Sequence, residues 1–112
     1  MPNLTLPHDD EELASALQAA ATWLPHSDNP QYVRGAIAAL GWLVGRVSTA
    51  PVSGDVEDVT LAAIQREENL ADDAVYGAAG GEHVDRHFAV GAQTALLWAR
   101  GREAQPPISL AA

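Results

Sequence analysis

Hydrophobic positions along the chain recur with helical periodicity in four segments, and no stretch alternates long enough between apolar and polar residues to predict a strand. The first segment begins after Asp9, which forms a capping-box pattern with Glu12 three residues later, and it stops at Pro25. The second segment has Asn29 as its N-cap and ends near Gly45, a residue type that tolerates the left-handed conformation after a helix.

The second half of the chain holds the other two helical segments. The third is predicted to start from a cap at Ser53 or Asp55, with an apolar stripe that opens at Val56. The glycine-rich stretch 77–81 is predicted to be a turn, and the fourth helix is predicted to run from about Glu82 to Arg100.

Two stretches of the sequence, Gly35–Ser53 and Gly91–Ser109, match at a constant offset of 56 residues. The identical pairs are Gly35/Gly91, Ala36/Ala92, Ala39/Ala95, Leu40/Leu96, Trp42/Trp98, Gly45/Gly101, Arg46/Arg102, Pro51/Pro107 and Ser53/Ser109. Tryptophan, glycine, arginine and proline all recur in register, which indicates a duplicated helical hairpin, with one copy over about 8–53 and the other over about 54–109.

The repeated residues also predict how the helices pair. On a helical wheel they occupy one arc of about 160°; its members in the second helix are Tyr32, Gly35, Ala36, Ala39, Leu40, Trp42 and Arg46. Small residues at spacings of three and four let two helices approach closely, so helices two and four are expected to pair about a pseudo-twofold axis. Arg46 and Arg102 are interpreted as helix C-terminal caps, with a symmetric anion site as the alternative.

The composition fits one domain over residues 1–112, since the chain is 47% hydrophobic and 19% charged. The fold class predicted is therefore all-α: a four-helix bundle built from a duplicated helical hairpin, helices 1–2 and 3–4, with dimerisation as one way to complete it.

Charge narrows the classes of function. The chain carries 15 acidic residues against six basic ones, a formal net charge of −9, and such a field repels the phosphates of nucleic acids. All six basic residues are arginine, which together with the abundant alanine suggests a bacterial source. No cysteine, signal-peptide pattern or membrane-length apolar run is present in the sequence, so a soluble cytoplasmic protein with no direct nucleic-acid or membrane contact is expected.

The two matching stretches differ at three positions in a way that suggests a partner interface. Val33, Ile37 and Val44 in the second helix correspond to Ala89, Gln93 and Arg100 in the fourth, so the apolar arc of the second helix is wider. Either the N-terminal Leu4 and Leu6 cover this side, or it is exposed as a protein interface, with a homodimer as the first expectation.

One group of residues has the spacing of a metal site. His83 and His87 lie four residues apart, on one face of the fourth helix, and Glu68 and Asp72 have the same spacing in the third. In an antiparallel hairpin these four side chains would lie at one level, where they could bind zinc, manganese or iron, and an open coordination position would activate water. The alternative is a solvated, salt-bridged surface without metal.

The sequence therefore favours a small acidic helical protein that acts as a non-catalytic interaction or regulatory module and needs no cofactor. The alternative is a metal-binding helical protein, conceivably a hydrolase, that uses Glu68, Asp72, His83 and His87 with zinc or manganese. Whether the protein is an enzyme is left open by the sequence.

Overall fold

The computed structural model describes residues 6–77 and 84–108. These ranges contain four α-helices, α1 (Asp10–Trp23), α2 (Pro30–Leu43), α3 (Leu61–Tyr76) and α4 (Arg86–Ala99), and a 3₁₀ turn at Leu24–His26. They contain no strand, and a single bridge pairs Thr49 with Val56. The all-helical class is thus confirmed, and the four helices are compatible with a bundle. None of the described helices is both long and apolar enough to cross a membrane.

The first two helices begin as their sequences predict. The Asp9 side chain accepts a hydrogen bond of 2.8 Å from the Glu12 amide, and the Glu12 side chain accepts one from the Asp9 amide, which completes the capping box. Asn29 caps α2 by accepting from the Tyr32 amide, and Pro30 occupies the first helical position, where no amide donor is needed.

Helices α2 and α4 end in the same way, at positions 56 residues apart. Gly45 and Gly101 both have a positive φ, +80° and +77°, and the next residue donates its amide back into the last helical turn. The Arg46 amide bonds to the Gly41 carbonyl at 2.9 Å, and the Arg102 amide bonds five residues back at 2.8 Å. The two arginines therefore follow the helix-terminating glycines as expected, but Arg46 is exposed and does not belong to the buried arc in which the sequence placed it.

Helices α2 and α4 form the centre of the fold, with α1 against α2 and α3 against α4. Five residues of the predicted arc, Gly35, Ala36, Ala39, Leu40 and Trp42, are buried, and so are their counterparts in α4. Tyr32, another member of the arc, is half-buried. The two central helices approach so closely that a Cβ atom on Gly35 would lie 2.0 Å from the Phe88 carbonyl oxygen. This close approach requires glycine.

The start of the third helix differs from the prediction. Helix α3 begins at Leu61, with Thr60 as its cap, and neither Ser53 nor Asp55 caps it. Residues 53–60 do not join the helix because Gly54 has a φ of +75° and several backbone groups before Thr60 bond to other parts of the chain. The fourth helix begins at Arg86 after an Asp85 cap, and Glu82, where its start was predicted, lies outside the described residues.

The described part of the N-terminal segment lies against the end of α4. His8 stacks on Trp98 with ring centroids 4.1 Å apart, and its Nδ1 lies 3.1 Å from Glu12 Oε2. Pro7 lies beside Gly101, and Leu6 is packed against the core. This segment therefore covers a tryptophan of the second hairpin. Leu4 lies outside the described residues.

Candidate functional site

Glu68, the most buried described member of the predicted metal group, is paired with an arginine. Arg100 Nε donates to Glu68 Oε2 at 2.8 Å and an Arg100 Nη donates to Oε1 at 3.1 Å, and both side chains are mostly buried. Asp72, one turn later, accepts a weak hydrogen bond of 3.4 Å from Gln93. Both oxygens of the Glu68 carboxylate are thus already occupied by a bidentate ion pair that joins α3 to α4.

His87, the described histidine of the predicted metal group, forms no metal-binding cluster with Glu68 and Asp72. His87 is exposed on the first turn of α4, and its Nδ1 lies 3.2 Å from the side-chain nitrogen of Asn29, the cap of α2. His83 lies outside the described residues. Within 6–77 and 84–108, no three histidine, aspartate or glutamate side chains lie close enough to hold a metal ion.

The three residues of the predicted interface lie at different depths. Val33 is only 1% exposed, so it belongs to the core of the single chain, while Ile37 and Val44 are partly buried against that core. Their α4 counterparts Gln93 and Arg100 both contact α3. On the α2 side of the central pair, the packed neighbour is α1.

A buried acid that the sequence did not single out holds the chain between α2 and α3. Glu67 is 0% exposed, and its Oε1 accepts from the amides of Val52 and Ser53, both at 2.8 Å. Its other oxygen accepts from Arg66 at 3.2 Å. A fully buried carboxylate is stable only when hydrogen-bonded, and here the partners are two backbone amides and one guanidinium.

Residues 44–60, which we call the connection, are ordered by further backbone bonds. The Ala50 amide donates to the Asp55 carbonyl at 2.8 Å, and the Glu57 amide donates to the Ser48 carbonyl at 3.1 Å. The buried Trp42 indole donates to the Glu57 carbonyl at 2.9 Å. The connection is therefore a folded segment fixed to α2 and α3 at several points.

This fixed segment presents apolar side chains to solvent. Val47 is 45% exposed, Val56 is 77% exposed, and Leu61, which follows the connection directly, is 47% exposed. The acidic Asp55, Glu57 and Asp58 lie in the same stretch of chain. We call these six residues the connection surface. Two further large apolar side chains, Trp23 and Tyr76, are exposed at the ends of α1 and α3.

The charge around the connection surface is negative. Stretch 47–61 contains three acids and no basic residue, and Arg46 directly precedes it. The pKa of Arg66 is raised first by its hydrogen bond to Glu67, and then by the negative charges of Glu57, Glu67 and Asp55. Arg66 is paired with Glu57 and Glu67, so Asp55 and Asp58 keep this part of the surface acidic.

A tyrosine of α2 connects this helix to the C-terminal segment. The Tyr32 hydroxyl donates to the Pro107 carbonyl at 3.0 Å. Burial raises the pKa of this tyrosine, the Thr94 side chain lowers it, and the negative charge of Glu103 raises it. Phe88, the matching residue of α4, has no hydroxyl to form the equivalent bond.

Comparison of the chain with protein-family models, with curated proteins and with solved structures gives no match.

Proposed function

We propose that this protein is a non-catalytic protein–protein interaction module and that the connection surface is where it contacts a partner. The proposal rests on the exposure of Val47 and Val56, on a segment that is otherwise firmly hydrogen-bonded, and of Leu61 directly after it. Scattered exposed apolar residues are ordinary on protein surfaces, but three within one short stretch make a candidate contact area.

The order of the connection supports the same proposal. A loop of 17 residues between helices is long for a small domain, and loops of this length that keep a defined structure commonly carry function. Here Glu67 and the Trp42 indole hold the backbone, so the exposed valines are presented without a large entropic cost when a partner binds.

Site-specific cross-linking tests the proposal. A photoreactive amino acid is placed at Val56 and, as a control, at Gln18, which is exposed on α1, outside the connection. In cells of the source organism we expect one discrete adduct from position 56, weakened when Val47 and Leu61 are replaced by serine, and none from position 18. No adduct at 56, or the same adducts at both positions, would contradict the proposal.

A homodimer through Val33, Ile37 and Val44 is a competing form of the interaction proposal. Because Val33 is 1% exposed within one chain, this form requires either a change in the packing around Val33 or contact through Ile37 and Val44 alone. A native mass spectrum decides between the two forms. We expect a monomer, whereas a dimer that disappears in an Ile37→Glu variant would favour the homodimer.

We also propose that the two hairpins arose by duplication of one ancestral hairpin. Three observations support this: the residues matched at an offset of 56, the identical glycine endings of α2 and α4, and the α2–α4 contact that uses the same positions of both helices. This proposal concerns the origin of the fold and carries no function by itself.

The metal-binding alternative has the sequence spacing of Glu68, Asp72, His83 and His87 as its support. A metal would have to displace Arg100 from Glu68. If zinc or manganese binds there, adding the metal raises the melting temperature, and a His83→Ala, His87→Ala double variant loses the response. We expect no rise in the native protein, because the ion pair already satisfies Glu68.

A further inference from the structure

Around Val56, the backbone of the connection forms hydrogen bonds along one edge, and its opposite edge forms none with the described residues. Thr49 and Val56 are opposite residues of a two-stranded bridge, closed on either side by the bonds from Ala50 to Asp55 and from Glu57 to Ser48. In an antiparallel pair of this type, the amide and carbonyl of the opposed residues point away from each other. The Val56 amide and carbonyl therefore point outward.

The chain that follows Val56 continues this open edge. The Glu57 amide and carbonyl are both used inward, by Ser48 and the Trp42 indole. Because successive residues of an extended chain direct their backbone groups to opposite sides, we expect those of Asp58 to point outward like those of Val56. Neither residue forms a backbone hydrogen bond with any other described residue. Thr60, just before α3, is still extended, with φ −130° and ψ 162°.

From this geometry we propose that a basic, extended segment of another protein binds as a third strand along residues 55–59. This deepens the proposed function and rests on it. Main-chain hydrogen bonds to Val56 and Asp58 supply the pairing, as in other cases of strand addition to a free sheet edge. Val56 supplies apolar contact, and Asp55 and Asp58 attract lysine or arginine side chains.

Charge distinguishes this occupant from a second copy of the chain. Two copies that paired at this edge would bring Asp55, Glu57 and Asp58 of each copy against the same acids of the other, and each copy has a net charge of −9. Acids at an open edge are a common means of preventing self-pairing. The same acids attract a strand of opposite charge.

A nuclear magnetic resonance titration of the full-length, ¹⁵N-labelled protein tests the proposal. The probe is a nine-residue peptide in which lysine alternates with valine and threonine. We expect shifts at the amides of Val56 and Asp58, slower hydrogen exchange at both, and a shift of the Trp42 indole signal, since that indole bonds to Glu57 between them.

Two control peptides separate strand pairing from general attraction between opposite charges. One replaces each lysine by glutamate, and the other is N-methylated at every second residue along one edge, so that it keeps its charge but cannot pair. We expect neither peptide to produce the shifts. Equal shifts with the methylated peptide would overturn strand addition.

Matched protein variants localise the charge effect. An Asp55→Asn, Asp58→Asn variant should bind the lysine peptide about five- to tenfold more weakly, because two exposed ion pairs are lost. An Asp28→Asn, Glu103→Gln variant has the same net charge and exposed substitutions elsewhere, and it should bind like the native protein. Equal weakening in both variants, or shifts spread over all acidic surfaces, would overturn the proposal.

The remaining outcomes decide between strand addition, self-association and the absence of a partner. Shifts at Val56 and Asp58 that depend on protein concentration without peptide would assign the edge to a second copy and overturn the basic partner. No peptide binding, together with a discrete cross-link from position 56, would reject strand addition and leave the interaction module standing. Absence of both would reject the two proposals together.

Discussion

Gly35 and Gly91 occupy matching positions in the two central helices, and each faces the main chain of the other helix. A Cβ atom on Gly35 would lie 2.0 Å from the Phe88 carbonyl oxygen, and one on Gly91 would lie 1.9 Å from the Tyr32 carbonyl oxygen. Tyr32 and Phe88 are themselves matching positions, so the contact is reciprocal. The α2–α4 distance is therefore set by these two glycines.

Alanine at either glycine should destabilise the protein strongly and to a similar extent. The added methyl group meets backbone, which cannot move without separating α2 from α4, so we expect a loss of about 3 kcal/mol or more in the free energy of unfolding for Gly35→Ala and for Gly91→Ala. Urea denaturation measures it.

Gly41 provides the matched control for these two substitutions. It also lies in α2, but the nearest atom to a Cβ there is a Val47 methyl at 3.7 Å, an ordinary contact distance. Gly41→Ala should therefore be neutral or stabilise by up to about 1 kcal/mol, because alanine favours the helix. A stable Gly35→Ala protein would show that the helices are further apart than described.

The central helix pair could be predicted from the sequence because its information is local and repeated. Trp42 and Trp98, Gly45 and Gly101, and the glycine pair recur in register, and small residues at helical spacing have few uses other than close packing. The caps at Asp9 and Asn29 were predictable for the same reason. Each of these features depends on residues within one helical turn or within one matching stretch.

An apolar residue in one hairpin can match a charged residue in the other because a different helix faces each position. Sequence periodicity does not show which helix that is. Val44 and Arg100 match in sequence, yet Arg100 meets the Glu68 carboxylate of α3, whereas Val44 lies against an apolar core. The interface predicted at Val33, Ile37 and Val44 stays a prediction, with Val33 buried within the single chain and the other two partly buried.

Replacing the Glu68–Arg100 ion pair by apolar residues tests whether the seam between α3 and α4 requires these charges. Glu68→Leu alone leaves a mostly buried guanidinium without its partner and should cost about 2–3 kcal/mol of stability. The double variant Glu68→Leu, Arg100→Val, which places apolar side chains at both positions, should recover to within about 1 kcal/mol of the native protein. If the double variant is as unstable as the sum of the two single ones, the seam does not accept an apolar pair.

Glu67 should be required for the order of the connection. Glu67→Gln keeps an oxygen that can accept from Val52 and Ser53 but loses the charge that pairs with Arg66, so we expect a loss of about 1–2 kcal/mol. Glu67→Ala removes the acceptor from both amides and should cost about 3 kcal/mol. Thermal unfolding compares both with Gln65→Ala, an exposed neighbour that should change little. A harmless Glu67→Ala would contradict this role.

Tyr32 should make stability depend on pH in the alkaline range. Its pKa is raised above the ordinary 10.0, chiefly by burial, so the folded state holds the proton more tightly than the unfolded state does. The resulting stability is complete below pH 10.0 and is lost as the pH rises through the raised pKa of the folded state. The urea midpoint of a Tyr76→Phe variant should fall as the pH rises through this range. In the double variant Tyr76→Phe, Tyr32→Phe, the midpoint should fall less.

The start of α3 was predicted too early because periodicity cannot reveal competing backbone partners. Val56 and Val59 continue the apolar spacing of the helix, and Asp55 resembles a cap. The residues that prevent a helix there are distant in sequence: Trp42 bonds to the Glu57 carbonyl, and Glu67 binds the amides of the preceding turn. The connection surface could not be found for the same reason.

Residue-resolved hydrogen exchange shows whether the connection is a firmly hydrogen-bonded segment with an open, exposed edge. We predict slow exchange at the amides of Ala50, Val52, Ser53 and Glu57, which have hydrogen-bond acceptors, and fast exchange at Val56 and Asp58, which have none among the described residues. Uniformly fast exchange from residue 50 to residue 58 would mean that the connection is a loose loop. Slow exchange at all these amides, together with ¹³C chemical shifts typical of a helix, would mean that α3 is longer. Either result would contradict an open backbone edge on a hydrogen-bonded connection.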